Sequence, residues 1–236
     1  MAITAETRTD IIDLVVAALD VAPGTTLLNE LVALVDGGGT LADVAANLTA
    51  RADYQAKYPA FQTSTEWATE WLGNLIPEAD TATMDSAVTL VAGMVNAGST
   101  QASIILEAAT FLTATTTASD ASYGTVATAF VNNSSVAAYH TVTNENAAIG
   151  TDTLSGVDST DASVTTAKAS IDTVVTPGTS QALTTGIDAL TGGAGGDTFS
   201  ATAATAATQT INSGDTITGG DGTDTLLITN SLSGGG

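Results

Sequence analysis

Two nine-residue stretches near the end of the chain share one pattern, G-G-x-G-x-D-x-U-x with U apolar. They are Gly192-Gly193-Ala194-Gly195-Gly196-Asp197-Thr198-Phe199-Ser200 and Gly219-Gly220-Asp221-Gly222-Thr223-Asp224-Thr225-Leu226-Leu227. The glycines admit positive φ, so six residues can turn tightly and aim carbonyl oxygens inward. The aspartate adds a carboxylate, and the result is the all-oxygen donor set that a hard cation such as Ca²⁺ prefers. The last three residues then form a very short strand whose apolar side chain, Phe199 or Leu226, points inward. Half-copies stand nine residues before each full one, at Asp188 and at Asp215. A flexible Gly/Thr linker would share this composition but not its phase.

A period of nine puts successive turns on opposite edges of a parallel β-roll, so residues eighteen apart share an edge. Asp197 and Asp215 have that spacing and are expected to share an ion. The expected calcium ligands are Asp188, Gly193, Gly195, Asp197, Asp215, Gly220, Gly222 and Asp224. No Gly-Lys-Ser/Thr follows either glycine stretch, which argues against a phosphate-binding loop.

Charge narrows the function further. Arg8, Arg51, Lys57 and Lys168 face 25 acidic residues, for a net charge of −21, so nucleic acid is a poor partner and divalent cations are good ones. The absence of cysteine excludes disulfides, zinc–thiolate sites and thiol catalysis. Neither a metalloprotease H-E-x-x-H nor a lipase G-x-S-x-G occurs, so an enzyme is not expected. No apolar run approaches the ~20 residues that cross a bilayer, and Glu6, Asp10 and Asp13 interrupt the first apolar stretch, unlike a signal peptide.

Residues 1–176 read as helical and 177–236 as the start of the roll, with Pro177-Gly178 between them. Apolar spacing predicts a helix over 5–19, ended by Pro23-Gly24, and a second from Thr26 to Val35. Thr40, with Asp43 three residues on, has the form of a capping box opening a third helix that runs to about Tyr54. Residues 31–44 (LVALVDGGGTLADV) align with 91–104 (VAGMVNAGSTQASI) at an offset of sixty, which predicts a duplicated helical unit. Val126, Phe130, Val131, Val136 and Tyr139 recur at helical spacing, and a further helix is expected over Ala162–Val174 behind Asp158–Asp161.

Glu66-Trp67 and Glu70-Trp71 place two tryptophans and two carboxylates at i, i+4. Such a helix normally buries the indoles and solvates the acids, but tryptophan is also the side chain on which sugar rings stack. Arg8, Arg51 and Lys57 are ordinary surface charges or contacts for anionic sugars or phosphates. Trp67, Trp71 and these three are therefore the candidate glycan-binding residues. His140, the sole histidine, is expected to pack rather than to catalyse.

The duplicated unit with Gly38–Val44, the stretch Val136–Thr143 followed by Val157–Ile171, and the D-x-L-T-G-G-x-G-G-D-T-F run over Asp188–Phe199 together resemble the N-terminal region of Caulobacter-type surface-layer (S-layer) proteins. More broadly they resemble type I-secreted proteins with RTX calcium repeats. The resemblance implies a mainly α N-terminal domain anchored to outer-membrane lipopolysaccharide or another surface glycan. It also implies a calcium-bound parallel β-roll that supports a homo-oligomeric lattice, and a secreted protein on the bacterial surface. In that family the pattern continues for hundreds of residues, so this sequence reads as a piece of a longer chain. The alternative from the same repeats is an RTX-type secreted adhesin or enzyme that uses them as a folding and secretion module.

Overall fold

A computed structural model describes residues 3–115, 120–174, 179–193, 195–205, 207–220 and 223–231. The chain divides into two compact units, Met1–Ile171 and Asp172–Gly236, and the expected boundary at Pro177-Gly178 lies outside the described residues. The first unit is helical. The second holds short parallel strands.

The helical unit is built around α1 (Ala5–Leu19), capped by the Thr4 side chain, which accepts from the Thr7 amide. Every residue from Ile11 to Leu19 is buried, including Asp13, so this part of α1 carries no polar stripe and has to lie inside a bundle. It packs against α2 (Gly24–Asp36), α3 (Leu41–Ala50), α4 (Ala52–Lys57), α5 (Ser64–Leu75), α7 (Gln101–Ala114) and α8 (Gly124–Ala138). Each aliphatic side chain so buried contributes about 1.5–3 kcal/mol. α6 (Thr81–Asn96) lies on α5, and α9 (Asp161–Val174) follows. No helix among the described residues is long and apolar enough to cross a membrane.

The capping box at Thr40 is present in both directions, Asp43 N donating to Thr40 Oγ1 at 3.3 Å and Thr40 N to Asp43 Oδ2 at 2.7 Å. The helix that follows stops at Ala50, where Arg51 is extended (φ −69°, ψ 149°), and α4 is a separate turn carrying Tyr54. The two aligned stretches share one turn down to single hydrogen bonds. Gly38 and Gly98 both take φ +99°, and the amides after them, Gly39 and Ser99, each reach back 3.0 Å to the carbonyls of Leu34 and Met94. The repeat is also longer than the sequence alignment. Helices start at 5, 24 and 41 in the first stretch and at 64, 81 and 101 in the second, so α5 matches α1 in chain order, although α1 packs on α3 and α7, and α5 mainly on α6.

α8 buries Val126, Phe130 and Val136 and leaves Val131 exposed. Its end loosens into a π-helical turn over Tyr139–Thr143, closed by Asn144 N to Tyr139 O at 3.0 Å. His140 is buried in this turn, and burial pushes its imidazole below the usual range.

In the second unit the chain alternates between two parallel ladders. β1 (Ser180–Ala182), β3 (Thr198–Ala203) and β5 (Thr225–Asn230) form one in that order, and β2 (Ala189–Thr191) pairs with β4 (Thr216–Thr218) in the other. Phe199 lies in register with Gln181 and Leu226, and Leu190 with Ile217. Three connections are six residues long, but 204–215 is twice that. The reason is in the sequence. The position nine after Asp197 is Ala206, and 201–206 contain neither glycine nor aspartate, so nothing makes the turn. The strand runs on to Ala203, and Thr210 N folds back onto Thr202 O at 2.9 Å.

This lengthening corrects the expected edge-sharing. Thr198 faces Thr225 and Ala189 faces Thr216, twenty-seven residues apart, so Asp197 pairs with Asp224 and Asp188 with Asp215, and Asp197 does not pair with Asp215. Phe199 is buried as expected. Leu226 is 51% exposed, because among the described residues β5 has only β3 beside it.

Candidate functional site

The aspartates of the second unit form two short ladders of charge-assisted hydrogen bonds. On one edge Asp197 Oδ1 accepts from Thr179 N at 2.5 Å and from Thr179 Oγ1 at 2.7 Å, Asp197 Oδ2 accepts from Gly193 N at 2.8 Å, and Asp224 Oδ1 accepts from Asp197 N at 2.9 Å. On the other edge Asp215 Oδ1 accepts from Asp188 N at 2.9 Å, while Asp188 Oδ2 accepts from Thr184 N at 2.7 Å. Each carboxylate thus holds the amide that stands one rung away or at the head of its own loop. The Thr179 hydroxyl and amide, with the Gly193 amide, hold the Asp197 carboxyl below the usual carboxylate range.

Glycine is required where these loops stack. A Cβ on Gly192 would stand 1.9 Å from the Gly219 carbonyl oxygen and 2.2 Å from Asp197 Oδ2. One on Gly219 would stand 1.9 Å from Asp224 Oδ2, and one on Gly220 (φ +100°) would stand 2.2 Å from the Gly193 carbonyl oxygen. Gly195 also takes positive φ, at +117°. Carboxylate and carbonyl oxygens from both rungs therefore converge between 192–193 and 219–220, where no side chain fits. That donor chemistry fits a hard cation. The carboxylates come two to an edge, and no group of three or more His, Cys, Asp or Glu that could hold a metal occurs among the described residues. Gly222 lies outside the described residues.

The five candidate glycan residues do not form one surface. Trp67 and Trp71 stack on each other, with centroids 5.1 Å apart and planes at 4°, and both are fully buried. Trp71 Nε1 donates to the Ala17 carbonyl at 2.8 Å. Trp67 Nε1 donates to Tyr54 Oη at 3.1 Å, and that hydroxyl donates to Gln101 at 3.0 Å. Neither indole presents a face to a sugar ring. Glu66 closes a capping box with Thr63, whose backbone and side chain hold its carboxyl below the usual range, and Glu70 bonds Gln62. The two acids are thus a cap and a surface contact.

Arg51 pairs with Glu30 (3.5 Å) and Asp53 (3.2 Å). Lys57 Nζ donates to the Leu19 carbonyl at 3.0 Å at the end of α1, and burial lowers its ammonium against the opposing pull of Asp20 and Glu70. Both are occupied within the bundle. Arg8 lines an open cavity, and Lys168, which the spacing of the sequence had not singled out, lines that cavity with it. Their separation of 160 positions left no local signal.

Comparison of the chain with protein-family models, curated proteins and solved structures finds no match in any of the three.

Proposed function

We propose that the chain is a calcium-ordered structural component of a bacterial surface layer. In this reading the protein is secreted, its helical unit attaches to lipopolysaccharide or another surface glycan, and its strand unit is an RTX-type β-roll through which copies assemble. The observation that carries the reading is the pairing of Asp197 with Asp224 and Asp188 with Asp215 on the edges of a parallel two-ladder coil. Asp197, Asp224 and the carbonyls of Gly193 and Gly219 would hold the ion, which supplies positive charge to an oxygen-lined edge. Each aspartate already orders backbone amides with part of its lone-pair capacity and keeps the remainder for a cation.

Assembly follows from the same charge. Copies at −21 repel one another, and neutralising the loop edges removes part of that repulsion where the copies would meet. Among the described residues β5 stands last in its ladder with Leu226, Leu227 and Ile228 all about half exposed, an apolar surface that a further rung of the proposed roll would cover.

Light scattering of the intact chain in calcium, magnesium and sodium series at matched ionic strength tests the reading. Calcium alone should drive assembly, because Mg²⁺ demands a tighter octahedral shell and sodium only screens. Asp197→Asn combined with Asp224→Asn should abolish it. Assembly in sodium, or by the double variant in calcium, would remove the mechanism.

A further inference from the structure

Half of the chain's basic residues gather at one place. Arg8 of α1 and Lys168 of α9 line a single cavity of about 460 Å³ in the helical unit, together with Thr9, Ser135, Tyr139 and Thr143. No carboxylate lines it, in a chain with 25 acidic residues. Among the described residues the ion pairs belong to Arg51, and neither Arg8 nor Lys168 makes one. Lys168 is held in position by Ser135 Oγ at 3.1 Å and by the Tyr139 ring, 5.3 Å from its centroid. One wall of the cavity is the π-helical turn, an irregularity that costs helix stability and recurs at functional sites.

We propose that this cavity binds a phosphate group carried on a sugar-sized molecule. Two cations that line one cavity with no carboxylate in its wall attract a dianion, which answers both charges where a single carboxylate would answer one. Arginine offers a planar fork to two phosphate oxygens and lysine a point charge to a third, and the hydroxyls of Ser135, which accepts from Lys168, and of Thr143 line the cavity with them. The Tyr139 ring and the apolar floor at Ile12 and Val142 give the ester portion a surface. The cavity is of the size that holds a small organic ligand. This site rests on the glycan-attachment part of the reading above and names its chemistry, but it needs neither the calcium loops nor assembly, so titration in chelator fails or succeeds independently of them.

The test is calorimetric titration of the full chain, in chelator and at fixed ionic strength, with glucose 1-phosphate and with inorganic phosphate. Saturable one-to-one binding of glucose 1-phosphate is expected, tighter than that of inorganic phosphate. Arg8→Gln and Lys168→Gln should each weaken it about tenfold, the effect of losing one charge-assisted contact. Arg51→Gln should bind like the parent. Far-UV circular dichroism confirms that each variant keeps its helices, and Lys168→Gln, on the half-exposed face of α9, carries the test if Arg8→Gln does not. Absence of saturable binding, or binding that Lys168→Gln leaves unchanged, overturns the site. Equal affinity for the two probes overturns the ester part of the proposal.

Discussion

The two units of this chain solve the same problem, holding backbone in place, with opposite materials. The helical unit buries an unbroken run from Ile11 to Leu19 together with two stacked tryptophans, and its polar side chains cap helices or bond back to the preceding turn. The strand unit buries little beyond Leu183, Phe199, Ala201 and Ala204 and leaves all of β5 exposed. What orders its loops are aspartates bonded to amides, with glycines where no Cβ fits. Apolar burial is insensitive to ions. A coil held by carboxylates stacks like charges rung on rung, and the calcium proposed above would relieve that repulsion.

The difference can be broken most forcefully from the helical side. Trp71→Ala removes a fully buried indole and its bond to Ala17 and should cost about 3–5 kcal/mol in denaturant unfolding of the helical unit. If the calcium response of the strand unit disappeared along with it, the two units would not be separately stabilised. A smaller effect comes from the repeated turns. Gly38→Ala and Gly98→Ala each force a side chain to φ +99° with open space around it, so each should cost about 1–2 kcal/mol through strain alone. Chemical denaturation of the two single variants should give similar losses, and a marked inequality would show that the copies are not energetically equivalent.

Much of this was legible in the sequence, and for physical reasons. Caps announce themselves locally, as Thr40 with Asp43 does, and the sixty-residue offset marked the second copy of the α2–α3 turn. The correspondence in chain order of α1 with α5 was hidden, because one carries aliphatic and the other indole side chains, and the two pack on different partners. In the strand unit the nine-residue phase identified the paired aspartates, but the register was misjudged by one turn. The signal was present in the absence of glycine and aspartate from 201–206, which removes a turn and lengthens β3. The Arg8–Lys168 cavity could not be foreseen, since it depends on α9 meeting the end of α8.

The smallest expected effect concerns a buried acid. Burial, reinforced by Asp10, pushes the Asp13 carboxyl above its ordinary value. A folded-state value above the unfolded one means that the ionised group opposes folding at neutral pH, and that the opposition disappears as pH falls below the unfolded value. Asp13→Asn should therefore stabilise the helical unit at pH 7 by roughly 1 kcal/mol or less, and the gain should shrink toward pH 4. Thermal melts of both proteins across that range check it. Asp197 has the opposite sign. Its depressed value contributes stability above the unfolded carboxylate range, and that contribution is lost as pH falls through the folded value.

The contrast between the units is tested most directly by amide hydrogen exchange, resolved by residue, in chelator and in millimolar calcium. Protection of 179–231, read at the amides of Thr179, Gly193 and Asp197, should rise strongly with calcium and fail to rise in Asp197→Asn, while 5–171 stays unchanged. Equal protection of the strand unit in chelator and in calcium would contradict the account, as would a calcium effect spread evenly over the helices.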